Sequence, residues 1–145
     1  MVKSKTGRLS FFLLSLATLF ATQGALAATN PLQDAITKGK KIFTTEKFGG
    51  NGKSCQSCHI EGGTKDSKLP NGMPVPSLTN AAAIFPRYNK RAGKLLMLDE
   101  QVQRCVAGGI QGTPPAFSSD QLTDLVTYVT SLSKGKSMNM GGTPD

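Results

Sequence analysis

Cys55-Gln56-Ser57-Cys58-His59 is the stretch of this sequence whose residue types and spacing point most directly to a particular chemistry. One helical turn brings two thiols to the same side and holds an imidazole next to them. C-x-x-C-H is the attachment pattern of a c-type haem. Each sulfur forms a thioether with a vinyl group of the macrocycle, and the histidine turns its Nε2 onto the iron as proximal ligand. His59 is the only histidine among 145 residues, which excludes sites built from several histidines. A Ser-His-Asp triad would have to borrow it from this motif. Two other chemistries could use the same residues. A redox dithiol is normally met in a βαβ context, and the sequence has no such pattern. A Cys₃His zinc site could draw on Cys55, Cys58, His59 and Cys105. The adjacent Cys58 and His59 would then have to reach one tetrahedral ion, whereas structural zinc sites use wider spacings.

The start of the chain fits haem attachment, which takes place outside the cytoplasm. Lys3, Lys5 and Arg8 precede an apolar run from Leu9 to Ala21, and Ala25-Leu26-Ala27 follows. This is the order of a secretory signal peptide, cleaved after Ala27. The apolar run reaches about 20 Å as a helix, short of the roughly 30 Å hydrocarbon core of a bilayer. The expected product is therefore a periplasmic domain of residues 28–145 that does not span the membrane, with a core over about 32–133 and a polar tail over 134–145. The leader holds three of the 17 Lys and Arg residues and none of the 9 Asp and Glu, so its removal leaves a net charge of +5. The remaining cations are scattered and lack interleaved aromatics, which argues against nucleic acid. A mildly basic surface suits docking to a redox partner protein. Three cysteines are too few for a disulfide scaffold.

The elements that position the motif read as three helices joined by Gly- and Pro-rich segments. The first is expected over about 33–45, with Leu32, Ala35, Ile36, Gly39, Ile42 and Phe43 on one face. The second runs over about 99–107, with Leu98, Val102, Cys105 and Val106 facing together and Gly108-Gly109 as its stop. The third runs over about 119–133, with Leu122, Leu125, Val126, Val129 and Leu132 as its stripe and Ser118 and Gln121 at capping-box spacing. Residues 49–86 show no sustained period and read as loop. So long a loop in a compact domain needs an organiser, and a tethered haem supplies one.

This order resembles the class I cytochrome c family. Gly39 and Phe43 lie before the motif, and Leu125-Val126-Thr127-Tyr128-Val129 is similar to that family's closing helix, whose aromatic crosses the first helix at its glycine. The resemblance implies an all-α fold of three main helices and long loops around one covalent haem c. It also implies that Pro74-Val75-Pro76-Ser77-Leu78 offers a backbone carbonyl to the Nδ1–H of His59. One departure matters: where many members carry a ligating Met before the last helix, Pro114 stands here.

The sixth iron position is thus open to Cys105, Met73, Met97 or no protein ligand. Met73 is only fourteen residues beyond His59, and Met97 in Leu95-Leu96-Met97-Leu98 reads as a core residue. Cys105 lies 46 residues beyond His59 on the apolar face of a helix and has no partner for a disulfide once the other two cysteines are bound. The runs Phe85-Pro86-Arg87-Tyr88 and Leu98 to Cys105 resemble the sulfur-oxidising cytochromes, thiosulfate dehydrogenases and SoxA. That resemblance implies His/Cys ligation with Cys105 as distal thiolate and as the catalytic residue if the chain is an enzyme. Those enzymes carry arginines around the ligating Cys, whereas Gln101, Gly108 and Gly109 stand in such places and only Arg104 adjoins it. A single haem moves one electron. The expected function is a periplasmic monohaem carrier in sulfur-compound oxidation, with the catalytic subunit of a thiosulfate dehydrogenase or SoxAX-like enzyme as the alternative.

Overall fold

The computed structural model describes residues 30–145; the expected leader lies outside them. Helix α1 spans Pro31–Thr45 and begins earlier than its periodicity suggests. The Asn30 side chain accepts from the backbone N–H of Leu32 at 3.1 Å and of Gln33 at 3.4 Å. Pro31 sits in the first turn, where a missing N–H costs nothing. Leu32 is 61% exposed rather than on the packed face, which starts one turn later at Ile36.

Helix α5, Asp120–Ser131, closes the domain against α1. Its cap is Ser119, which accepts from the Leu122 N–H at 3.2 Å. Ser118, expected as the cap, instead turns the chain at a positive φ of 61°. Leu125, Tyr128 and Val129 of α5 and Phe43 of α1 form the centre of the core. The Tyr128 ring meets Phe43 edge-on at 5.3 Å, and its hydroxyl donates to the Gly62 carbonyl at 2.8 Å.

The two helices cross at Gly39. A Cβ there would run into the Asp124 carbonyl and the Tyr128 Cβ, so only hydrogen allows the backbones to touch. At an unconstrained helix position Gly→Ala stabilises by about 1 kcal/mol through propensity. Here the sign is reversed. Gly39→Ala is expected to destabilise by about 2 kcal/mol, because overpacking against a backbone carbonyl outweighs that gain. Denaturant unfolding of the holoprotein measures it; an equal or raised midpoint would contradict a close crossing.

Between these helices lie α2 (Ile60–Gly63), α3 (Ala81–Ile84) and α4 (Leu98–Cys105). Helix α4 ends earlier than expected, and Gly108-Gly109 do not stop the chain there. They lie inside a π-helical turn, Val106–Ile110, that places Val106 and Ile110 in the core. The stop is Gln111, at φ 58°. Residues 49–86, expected as loop, contain a short antiparallel ladder of β1 (Ser67–Lys68) and β2 (Pro74–Val75). A second ladder follows, β3 (Arg87–Asn89) with β4 (Lys94–Leu96), turned by Asn89 to Gly93. These strands are too short to show a period, yet they fix the loop. Residues 134–145, expected as a loose tail, return along α3. The N–H of Asn139 donates to the Ala83 carbonyl at 2.8 Å, and that of Gly141 to Ile84 at 2.9 Å. The Asn80 amide donates to the Thr143 carbonyl at 2.9 Å. Among the described residues no helix is long and apolar enough to cross a membrane.

Candidate functional site

The motif folds locally into the turn its spacing requires. Cys55–Ser57 form one 3₁₀ turn, and the N–H groups of Cys58 and His59 both donate to the Cys55 carbonyl, at 3.2 and 3.0 Å. Ser54 and Ser57 fasten the entry: the Ser54 N–H donates to Ser57 Oγ and the Ser57 N–H to the Ser54 carbonyl, each at 3.0 Å. Just beyond His59 the chain reverses through Gly62 and Gly63, both at positive φ, which glycine adopts without strain. Tyr128 holds Gly62, and the Leu78 N–H donates to the Gly63 carbonyl at 2.7 Å. The turn after the motif is thereby tied to the last helix at Gly62 and to the β2–α3 connection at Gly63.

These residues open onto a cavity of about 650 Å³. Cys55, Cys58 and His59 form one wall, and Phe43, Leu125 and Val129 of α1 and α5 form another. Gln101, Val102 and Cys105 line it from α4, and Gly108, Gly109 and Ile110 from the π-helical turn. Leu69, Met73, Val75, Leu78, Ala81 and Phe85 complete a mostly apolar lining. Its size lies within the range of cofactor sites.

His59 is packed with its ring 6.5 Å from that of Phe43. Burial holds the imidazole below its usual pKa, so the ring is neutral, as an iron ligand must be. The Pro76 carbonyl opposes this shift, which places it beside the ring, although the buried Nδ1 makes no full hydrogen bond. The hydrogen bond expected from the Pro74–Leu78 segment is thus not formed. Cys55 is pushed up to about 12, first by burial and then by the nearby sulfur of Cys105. Cys105 is likewise raised, chiefly by burial, with the Gln101 hydrogen bond opposing. Its accessible surface belongs to the cavity wall, so exposure and burial describe one placement: protein surrounds the sulfur, and the cavity lies in front of it.

The four expected site residues, Cys55, Cys58, His59 and Cys105, therefore face one cavity. Met73 also lines it, from the β1–β2 turn, and is 46% exposed. Met97, expected as a core residue, is 53% exposed at the start of α4 and is not part of the cavity wall. Pro114 lines a separate groove of about 390 Å³ on the other side of α4, with Phe117 and Lys94. Among the described residues, no three His, Cys, Asp or Glu side chains are grouped to hold a metal ion, so the Cys₃His set does not assemble. Two residues beyond the motif and α4 were not foreseen: Asn89 and Arg91 reach the cavity from the β3–β4 hairpin. Their signal was the Asn89 to Gly93 turn between the apolar residues Tyr88 and Leu95.

The cavity fits a haem on grounds of its own chemistry. Two thiols one turn apart and a half-buried, neutral imidazole stand on the wall of a mostly apolar chamber that no described side chain fills. The comparisons agree. Residues 38–138 match the model of the SoxA/TsdA cytochrome c domain. The thiosulfate dehydrogenase of Stutzerimonas stutzeri (strain A1501) is 33% identical over 111 residues, covering 73% of this chain and 34% of that protein. The L-cysteine S-thiosulfotransferase subunit SoxA of Paracoccus pantotrophus is 26% identical, over 77% of this chain and 33% of its own length. The chain thus spans about a third of the length of these relatives. SoxXA from P. pantotrophus superposes with a TM-score of 0.60 at 25% identity, over 77% of this chain and 37% of that one. Thiosulfate dehydrogenase TsdBA from Marichromatium purpuratum superposes with a TM-score of 0.63 at 19% identity, over 78% of this chain and 25% of that one. Fold, cavity and sequence likeness agree: the chain belongs to the SoxA/TsdA cytochrome c domain family and carries covalently bound haem c.

Proposed function

We propose that the chain is a periplasmic monohaem cytochrome c of the class I arrangement, residues 28–145 after loss of the leader, passing single electrons in sulfur-compound oxidation. Cys55 and Cys58 anchor the haem as thioethers, His59 is the proximal ligand and Cys105 the distal one. The observation that carries this reading is that Cys105 lines the same cavity as the motif, from a different helix. When bound, the haem supplies reversible one-electron exchange at its iron. The chain supplies the rest. The apolar walls exclude water, packing beside Phe43 holds the His59 ring, and the Cys105 thiolate donates negative charge that favours the oxidised state. A second cytochrome or an oxidoreductase subunit is the partner; the SoxA relative above is named as a subunit.

One observation favours the alternative, a catalytic subunit. Arg91 lines the cavity along with Arg104 and Cys105, so a second cation faces the chamber, although only Arg104 acts on the sulfur directly. Joining two thiosulfates into tetrathionate releases two electrons, however, and one iron accepts one. Steady turnover by the single chain would need another redox centre. The deciding experiment is a potentiometric titration of the holoprotein beside an assay with thiosulfate and an artificial acceptor. A potential below zero without sustained tetrathionate formation is the expected result. Sustained tetrathionate formation would establish the enzyme, and a potential well above zero would refute thiolate ligation.

A further inference from the structure

We propose that Gln101 is a positioning residue for the distal ligand, its side-chain amide donating a hydrogen bond to the Cys105 sulfur that fixes the sulfur's direction and restrains its electron donation. This rests on Cys105 being the iron ligand.

Gln101 and Cys105 lie four residues apart on α4, one turn up the same face, and both line the cavity. The Gln101 Nε2 stands 3.3 Å from the Cys105 sulfur. That is a good length for a donor to sulfur, whose radius lengthens such bonds beyond the usual N–H···O range. Metal-bound thiolate has no proton and can only accept, so the amide nitrogen is the end of Gln101 that it can hold. Hydrogen bonds to a ligating sulfur withdraw charge from it and shift the potential of the metal. Gln101 does this as a neutral group. Arg104 is the adjacent cation, and its charge favours the thiolate without a direct hydrogen bond to it among the described contacts. The amide therefore supplies direction and the arginine supplies field.

The reach of the side chain is set by the helix, not by a mobile loop. Gln101 is half-buried and its backbone N–H is engaged with the Met97 carbonyl at 3.0 Å. A shorter amide would fall short of the sulfur, and an isosteric carboxylate would present oxygen where the sulfur needs a donor.

The test compares Gln101→Leu, Gln101→Glu and Gln101→Arg in the holoprotein by potentiometric titration and electron paramagnetic resonance, with Cys105→Ala as reference. Loss of the donor in Gln101→Leu should leave the iron low-spin, with shifted g-values. It should also raise the oxidised-to-reduced ratio at fixed solution potential about tenfold, a lowering of about 59 mV for one electron. Gln101→Glu, the same shape without a donor, should lower the potential further, and Gln101→Arg, with a donor restored, should return it to or above the original. In a Cys105→Ala background the Gln101→Leu change should have no effect. Unmoved g-values and potential in both Gln101→Leu and Gln101→Glu would overturn the proposal while leaving Cys105 as ligand. An unchanged spectrum in Cys105→Ala alone would instead remove the ligand assignment on which the proposal rests.

Discussion

Replacing Cys55 or Cys58 with Ser should leave almost no folded protein. Mass spectrometry of the unaltered exported chain should show the mature polypeptide plus one haem that resists acid-acetone extraction; the variants should lose that mass. The size of the effect follows from the cavity. Without the haem the mostly apolar walls of the roughly 650 Å³ chamber lose their packing partner, and an ordinary domain has only about 5–15 kcal/mol of stability to lose. The largest buried side chains, Phe43, Leu96, Leu125 and Val106, are too few to compensate. Circular dichroism of the purified variants is the direct check; a native helical signal with normal cooperativity and no haem would show that the polypeptide supplies its own core.

Cys105→Ala should produce the largest change in the electronic state of the site. Removal of a thiolate from the distal side should convert the low-spin resonance to high-spin and raise the potential by a few hundred millivolts. At 59 mV per tenfold for one electron, each such step is about 1.4 kcal/mol, so the change amounts to several kcal/mol. Met97→Ala should leave the spectrum unchanged, since Met97 is not part of the cavity wall. Met73→Ala is the sharper control, because Met73 lines the cavity and carries a thioether. Opening of the sixth position by Met73→Ala with Cys105→Ala silent would reverse the assignment.

The parts of this architecture legible in the sequence are those written at short range. The spacing of Cys55, Cys58 and His59 fixes one turn of chain, and that turn is present with its own backbone hydrogen bonds. The helix crossing was legible through the resemblance to class I cytochromes c; Gly39 and Tyr128 meet as that resemblance implies. What escaped was anything decided by a distant partner. Leu32 and Met97 have the hydropathy of core residues but no neighbouring surface to pack on. Val106 to Ile110 contain two glycines that read as a stop, yet burial of Val106 and Ile110 on either side carries the helix through them as a wider turn. The tail has no apolar stripe at all, and its order comes from backbone groups meeting α3, which no side-chain pattern records. Arg91 reached the cavity for the same reason: a two-strand hairpin of three-residue strands is too brief to announce itself, but it carries its turn to the cavity edge.

The closing of the cavity by α5 has a consequence in time as well as in space. A chain exported from its N-terminus exposes Cys55, Cys58 and His59 some seventy residues before Leu125, Tyr128 and Val129 emerge. Until then the chamber lacks one wall, and the Gly62 carbonyl lacks the hydroxyl that later holds it. Attachment chemistry at the two sulfurs thus has a wider approach on the emerging exported chain than on the finished domain. The helix that completes the site is also the one that narrows its entrance.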